Sequence, residues 1–393
     1  MAQARIFGRH DERTLAQMDR CMQVGSVAGG VLCADGHLGY AHPIGGVIAY
    51  EDHVSISGVG FDIGCGNLAA RLDVKKSEIE DRVGTIVRDI AGNVSFGLGR
   101  TNAEKVEHPL FDDEEAWNAA AVQDLKAQAR NQLGTVGSGN HYVDLFEDEE
   151  GFVWIGVHFG SRGLGHKSAT KYLKQAGGRD GMDVEPALVR TDSELGERYL
   201  AAMELAGSYA YAGREWVVDK VRSILGANST DAVHNHHNYA WREEHFGRKL
   251  WVVRKGATPA FPGQRGFVGG SMGDDAVILE GIDGEKSRAA LYSTIHGAGR
   301  VMSRTEARGR FQRDPATGKK IRMPGRVRHD EMLAWLRQKG VLLIGGGLDE
   351  APQAYRRLPD VLAEHEGTVR VLHTLRPFAV IMAGEKEFDP YKD

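Results

Sequence analysis

Five stretches of the chain set histidine, cysteine or aspartate among glycines or beside one another. GVGFDIGCG (58–66) offers Asp62 and Cys65 on one tight segment. GTVGSGNH (134–141) ends on His141 and runs on into Tyr142 and Asp144. HFGSRGLGH (158–166) carries His158, Arg162 and His166, and HNHHNY (234–239) carries His234, His236 and His237. HGAGR (296–300) couples His296 to Arg300. Glycine permits tight turns and close approach of backbone to a ligand, so these stretches read as one site assembled from many turns. An Asp and a Cys on one loop, joined by imidazoles from other turns, supply O, S and N donors. That mix suits Mn²⁺, Co²⁺, Fe²⁺ or Zn²⁺, and two ions sharing it would serve phosphoryl chemistry. His296 stands beside backbone amides and a guanidinium that can hold anionic oxygens. Its imidazole could be base, ligand or nucleophile. Each stretch also has a plainer reading: Cys65 as a core thiol, each histidine as a cap on a turn.

The elements that must carry these turns mix strands and helices without strict alternation, which predicts a compact α+β architecture rather than a doubly wound sheet. Short apolar runs predict strands at 46–49, 54–56, 68–72, 153–157, 250–253, 276–279, 291–295, 341–344, 369–373 and 378–382. Ser77 to Glu80 reads as a capping box opening a helix with Ile79, Val83, Ile86, Val87 and Ile90 on one side. Residues 114–133 read as an Ala-rich helix stopped by Gly134, and 193–225 as a long helix with a kink at Gly207 or Gly213. Residues 330–339 and 359–366 complete the helices, each followed by a glycine.

Composition narrows the function classes. The chain has 393 residues with 41% hydrophobic and 26% charged, which excludes a mainly disordered protein. Its 51 glycines are about twice the usual share, while 11 prolines exclude a collagen-like or low-complexity chain. Cys21, Cys33 and Cys65 are too few for a disulfide framework and read as reduced thiols. With no internal repeat or linker, residues 1–393 are treated as one domain. The net charge of −5 requires any nucleic-acid contact to be local. Residues 308–328 hold eight basic residues and one acidic residue, an insertion that is either a solvated loop or a polyanion contact. No apolar run is long enough to cross a membrane. The opening MAQARIFGRHDERTL lacks an apolar leader, so a cytoplasmic location is expected. No Walker A loop or kinase signature is present.

In order, VGFDIGCG, GTVGSGNHYVD, HFGSRGLGH, HHNY, VRKGA, GGSMG, HGAGRVMSR and DEAPQAY span most of the chain, and as an ordered set they resemble the RtcB family of RNA ligases. The resemblance implies one large α+β domain around a deep cleft with two Mn²⁺ ions. It implies GTP-dependent joining of RNA 3′-phosphate or 2′,3′-cyclic phosphate ends to 5′-hydroxyl ends, in RNA repair or tRNA splicing. It makes His296 the residue that takes up guanylate, and Asp62, Cys65, His141, His158 and His237 the metal ligands, with Cys65 bridging. Asn140, Asp144, Asn238, Gly270, Ser271, Met272, Gly297, Ala298, Gly299 and Tyr355 fall where the family holds the nucleotide. Arg162 and Arg300 fall where it binds phosphate at the RNA end. An Archease-type activator is a further implied partner. The sequence departs from the family pattern at Asp144 (for Glu), Phe159 (for Ser), Gly269 (for Pro) and Ala383 (for the Lys of a terminal Lys-Gly pair), with Lys386 the nearest replacement for that lysine. Two other readings use the same residues: an RNA-end phosphoesterase forming no covalent nucleotide, and a non-catalytic RNA-end binding protein.

Overall fold

The computed structural model describes residues 3–314 and 318–385. Two sheets dominate it. The larger runs in the order Arg265–Val268, Ala276–Gly281, Val369–Gly384, Tyr142–Glu147, Phe152–Phe159, Gly66–Lys75, Ser229–His236. These neighbours are all antiparallel, and Leu342–Gly346 adds in parallel to the far half of Val369–Gly384. The smaller sheet runs Arg5–Ile6, Val27–His37, Ile44–Tyr50, Arg248–Lys255, Asn238–His245. His237 is the single residue between the last strand of one sheet and that of the other. The mixed, largely antiparallel pairing is the expected α+β arrangement.

Alternation along the strands separates two cores. On one face of the larger sheet, Leu68, Val143, Leu145 and Val157 pack with Ile86, Val87 and Ile90 and with Val217 and Val221 of the long helix. On the other, Ala69, Phe146 and Trp154 pack with Phe267 and Ile278. Neighbouring residues of one strand therefore serve opposite cores, as a period of two requires. The long helix Glu194–Leu225 starts where the Ser193 side chain accepts from the Gly196 N–H at 3.1 Å and stops at Gly226, whose φ of +67° suits glycine. It runs unbroken, without a stop at Gly207 or Gly213.

Several elements differ from the sequence expectation. The runs at 369–373 and 378–382 are one strand, Val369–Gly384. Pro377 interrupts the pattern, and a register shift between Pro377 and Ala379 absorbs it. The 114–133 helix is broken into Glu114–Ala119, a short 3₁₀ turn and Lys126–Gln132, with Ala121 at φ +49° between them. The helix expected from Ser77 is present but not uniform: Lys76–Ile79 is α-helical, Glu80–Arg82 a 3₁₀ turn and Val83–Asn93 α-helical again. At its start, Glu78 accepts from the Lys75 N–H. The strand expected at 291–295 is only Ser293–Ile295, because Leu291 and Tyr292 take positive φ. At 54–56 the strand ends at Ser55, which caps the turn Ile56–Val59. The last helix is Leu358–Glu364, shorter than expected. The basic insertion is a two-stranded hairpin, Gly309–Arg313 with Lys320–Pro324, rather than a loop. No helix among the described residues is long and apolar enough to cross a membrane.

Candidate active site

Strand register brings the site together. Gly66 is paired with Phe159 on one side and His236 on the other, and His158 is paired with Tyr142. Four adjacent strands thus end at one level, and Cys65, His158, His237 and His141 project from that edge. Two donor groups result: Cys65 with His158 and His237, and Asp62 with Cys65 and His141. Within each, the ligating atoms lie within 4.8 Å of one another, and Cys65 belongs to both.

The imidazoles are held by their outer nitrogens. His141 Nδ1 lies 3.1 Å from the Val136 carbonyl and His158 Nδ1 3.0 Å from that of Asn140. A proton donated there leaves each Nε2 as a lone pair facing inward, the outer-shell arrangement common to metal-bound histidine. His158 Nε2 lies 3.3 Å and His141 Nε2 3.7 Å from the Cys65 sulfur, and His141 Nε2 is 3.1 Å from Asp62 Oδ2. Burial pushes the His158 and His237 rings down, so both stay neutral. Burial acts to raise Asp62, but His141 and Arg162 hold its carboxyl well below the usual range. His237 Nδ1 is buried without a hydrogen-bond partner, and Asp62 Oδ2, also buried, has only the His141 ring nitrogen beside it. Unpartnered polar atoms at this depth are costly, and a divalent cation shared by N, O and S donors would satisfy them. The donor set therefore fits the implied metal.

Next to the cradle stands His296, its ring centroid 4.9 Å from that of His237. Asp35, fully buried, accepts from His296 Nδ1 at 2.6 Å and from the His296 main-chain N–H at 2.9 Å. Burial acts to raise the Asp35 carboxyl, yet the His296 imidazole and its hydrogen bonds hold it below the usual range. An ionised acceptor on Nδ1 fixes the tautomer and turns the Nε2 lone pair outward. Sequence reasoning missed Asp35, though ADGHLG (34–39) has the same glycine-flanked texture as the other stretches.

The residues that the resemblance assigns to metal, guanylate, nucleotide and phosphate all line a single cleft of about 1040 Å³, while His234 and His236 do not. The glycines explain how they fit. A Cβ on Gly137, which has φ +89°, would sit 1.6 Å from Arg162 Nη2. One on Gly160 would sit 2.3 Å from Asp62 Oδ1. Arg162 itself holds φ +55° at the start of its helix, and its guanidinium reaches within 3.1 Å of His141 Nδ1. Arg300 is engaged internally: it donates to Tyr355 Oη at 2.9 Å and to the Asp349 carbonyl at 2.7 Å, and lies 3.4 Å from Glu350. Arg304, also missed, pairs with Asp349 and Glu350 on the same wall. Asn238 accepts from the Gly256 N–H at 2.7 Å, which locks the turn beside His296.

Asp144, Ser271 and Met272 also line the cleft and are buried. Burial drives the Asp144 carboxyl well above its ordinary range, and Asp144 Oδ1 and Ser271 Oγ are buried without partners. Ala383 is buried in the last strand. Lys386 lies outside the described residues.

A family model described as tRNA-splicing ligase RtcB matches residues 17–126 and 111–383. The tRNA-splicing ligase RtcB of Thermococcus kodakarensis is 32% identical, the match covering 94% of this chain and 91% of that one. The RNA-splicing ligase RtcB of Escherichia coli K12 is 31% identical over 87% of each chain. The tRNA-splicing ligase RtcB of Nanoarchaeum equitans is 31% identical, covering 89% of this chain and 87% of its own. With a four-strand edge presenting a shared cysteine sulfur and imidazole donors beside a carboxylate-held histidine, and with these matches running nearly end to end, the chain belongs to the RtcB family.

Proposed function

We propose that the chain is a metal-dependent RNA ligase that joins an RNA 3′-phosphate, or a 2′,3′-cyclic phosphate once opened, to a 5′-hydroxyl, using GTP and two Mn²⁺ ions. The observation that carries this reading is the His296 imidazole, held through Nδ1 by Asp35 and set against the donor cluster. His296 Nε2 attacks the α-phosphorus of GTP; a P–N bond forms and the bond to pyrophosphate breaks. The RNA 3′-phosphate oxygen then takes the guanylate and frees the imidazole. The 5′-hydroxyl attacks the activated phosphorus and GMP leaves. Asp35 steadies the imidazole through the first two steps. Arg162, free of any carboxylate hydrogen bond among the described residues, is positioned to hold the RNA phosphate. Divalent ions bound by Asp62, Cys65, His141, His158 and His237 would neutralise phosphate charge. Asn140, Asp144, Ser271 and Met272 would hold the nucleotide, with Gly270, Gly297, Ala298 and Gly299 leaving room for it. Cytoplasmic work in RNA repair or tRNA splicing, with an Archease-type activator, belongs to the same proposal.

The test is incubation with α-labelled GTP and Mn²⁺, then with RNA carrying the two ends. Acid-labile, alkali-stable label on the protein, absent in His296→Ala, supports the ligase. RNA-end hydrolysis without label would support a phosphoesterase instead, and neither activity would support an RNA-end binding protein.

A further inference from the structure

Arg214 is fully buried in the middle of the long helix Glu194–Leu225, where an arginine ordinarily reaches solvent or a carboxylate. Among the described residues it has no ion pair. Its donors go elsewhere. Nη1 donates to the carbonyls of Gly64 at 2.9 Å and Phe159 at 2.6 Å. Nε donates to His234 Nε2 at 2.9 Å, and Nη2 lies 3.1 Å from His236 Nδ1.

Three of these four partners, Gly64, Phe159 and His236, are immediate chain neighbours of Cys65, His158 and His237. Those are the members of one donor group. The three strands concerned are already adjacent, since Gly66 pairs with both Phe159 and His236. Strand pairing sets their lateral order. Past the edge, main-chain bonds also join Gly64 to Asn238 and Cys65 to His237 and Asn238, and the guanidinium adds a side-chain link among the same three termini. A guanidinium is a rigid planar fork with five donors at fixed angles, so one such group binding all three termini sets their mutual spacing. The helix that carries it is anchored over the sheet by Val217 and Val221.

We propose that Arg214 is a positioning residue for the metal cradle, pinning the strand ends so that the donors of Cys65, His158 and His237 converge at a spacing one divalent cation can bridge. This rests on reading those three residues as metal ligands. Arg214→Lys keeps the charge and loses the fork, which separates positioning from electrostatics.

The test titrates the metal-free chain with Co²⁺, following the thiolate-to-cobalt charge-transfer band and the d–d bands, with thermal unfolding in parallel. Arg214→Lys should bind Co²⁺ about 10-fold or more weakly and show a changed d–d pattern. Arg254→Lys is the control. Arg254 is equally buried but paired to Glu243 at 2.7 and 3.0 Å in the smaller sheet, so its variant should lose stability and keep the cobalt spectrum. A folded Arg214→Lys with wild-type affinity and spectrum overturns the proposal. Should that variant fail to fold, His236→Phe removes one of the three pinned termini; weakened Co²⁺ binding supports the proposal and unchanged binding overturns it. A wild-type chain with no charge-transfer band overturns the metal reading itself, and the role of Arg214 with it.

Discussion

Replacing Asp35 by asparagine tests the proposed nucleophile, His296, without touching a proposed metal ligand. Asp35 Oδ2 accepts from His296 Nδ1 at 2.6 Å, from the His296 N–H at 2.9 Å and from the Gly297 N–H at 3.4 Å. Hydrogen bonds to a charged acceptor are worth about 1.5–3 kcal/mol each, against roughly 0.5–1.5 kcal/mol for neutral pairs. If the amide oxygen takes the place of Oδ2, the imidazolium-like character of the transition state loses about 1–2 kcal/mol of support, roughly 5–30-fold in rate. If the amide nitrogen faces Nδ1 instead, the tautomer inverts and Nε2 carries the proton. An inverted tautomer of this kind costs about 10⁴-fold in the Ser-His-Asp enzymes. Asp35→Asn should therefore slow single-turnover labelling of the protein by α-labelled GTP by about 5-fold at least, and up to about 10⁴-fold. Its bound metal should be unchanged. Labelling at the wild-type rate with full metal content would refute the argument that Asp35 sets the reactive nitrogen.

Because Cys65 belongs to both donor groups, Cys65→Ala should abolish binding of both ions while His141→Ala and His237→Ala each spare one, as read by metal content after gel filtration; equal losses in all three would dissolve the two-group picture. Burial, aided by the charge of Lys255, pushes His42 down from 6.5 to about 3. The unfolded ring takes up a proton below 6.5 while the folded one does not, so the stability is complete above that pH and is lost as pH falls towards 3. The wild type should lose roughly 1.4 kcal/mol from this group between about pH 8 and about pH 5.5. In urea unfolding His42→Gln should lack this increment, and an identical pH slope in the two proteins would contradict the assignment. The shorter carboxyl of Asp144 should leave a base edge less firmly gripped, so labelling with all four nucleoside triphosphates should show weakened preference for GTP. Asp144→Glu should recover roughly 10–100-fold in discrimination, and strict GTP use by the wild type would argue against this. Arg313 and Lys320 stand opposite each other in the basic hairpin, a pairing that like charges disfavour unless an anion lies between. Removing both should weaken RNA binding and reduce its salt slope by about one per lost phosphate contact; an unchanged slope would return the hairpin to a solvated role.

Glycine-flanked His, Cys and Asp residues marked the cleft because some of these glycines leave a space that a reactive side chain fills, as at Gly137 beneath Arg162 and Gly160 beside Asp62. That signal is local and survives in sequence. Asp35 and Arg214 act across 261 and 150 residues of chain, on His296 and Gly64 respectively. Nothing in their neighbours announces those partners, and Arg214 looks like any charge on a helix until burial is known. Strand positions were legible where runs were apolar. They failed where one residue changes the backbone course: Ala121, which breaks an Ala-rich helix, and Leu291 and Tyr292, which delay a strand. The strand Ser229–His236 escaped notice because it is mostly polar: Ser229 and Thr230 are exposed, and its buried end is Asn235 and His236 rather than an apolar run.

The last described strand, Val369–Gly384, is not an appendage. It lies between Ala276–Gly281 and Tyr142–Glu147, so the four strands bearing the candidate metal donors are synthesised well before the neighbour that covers their outer flank. During translation the Tyr142–Glu147 edge remains bare, an invitation to pair with another nascent chain. A truncation that removes this final segment would thus produce an aggregating protein rather than merely an inactive one.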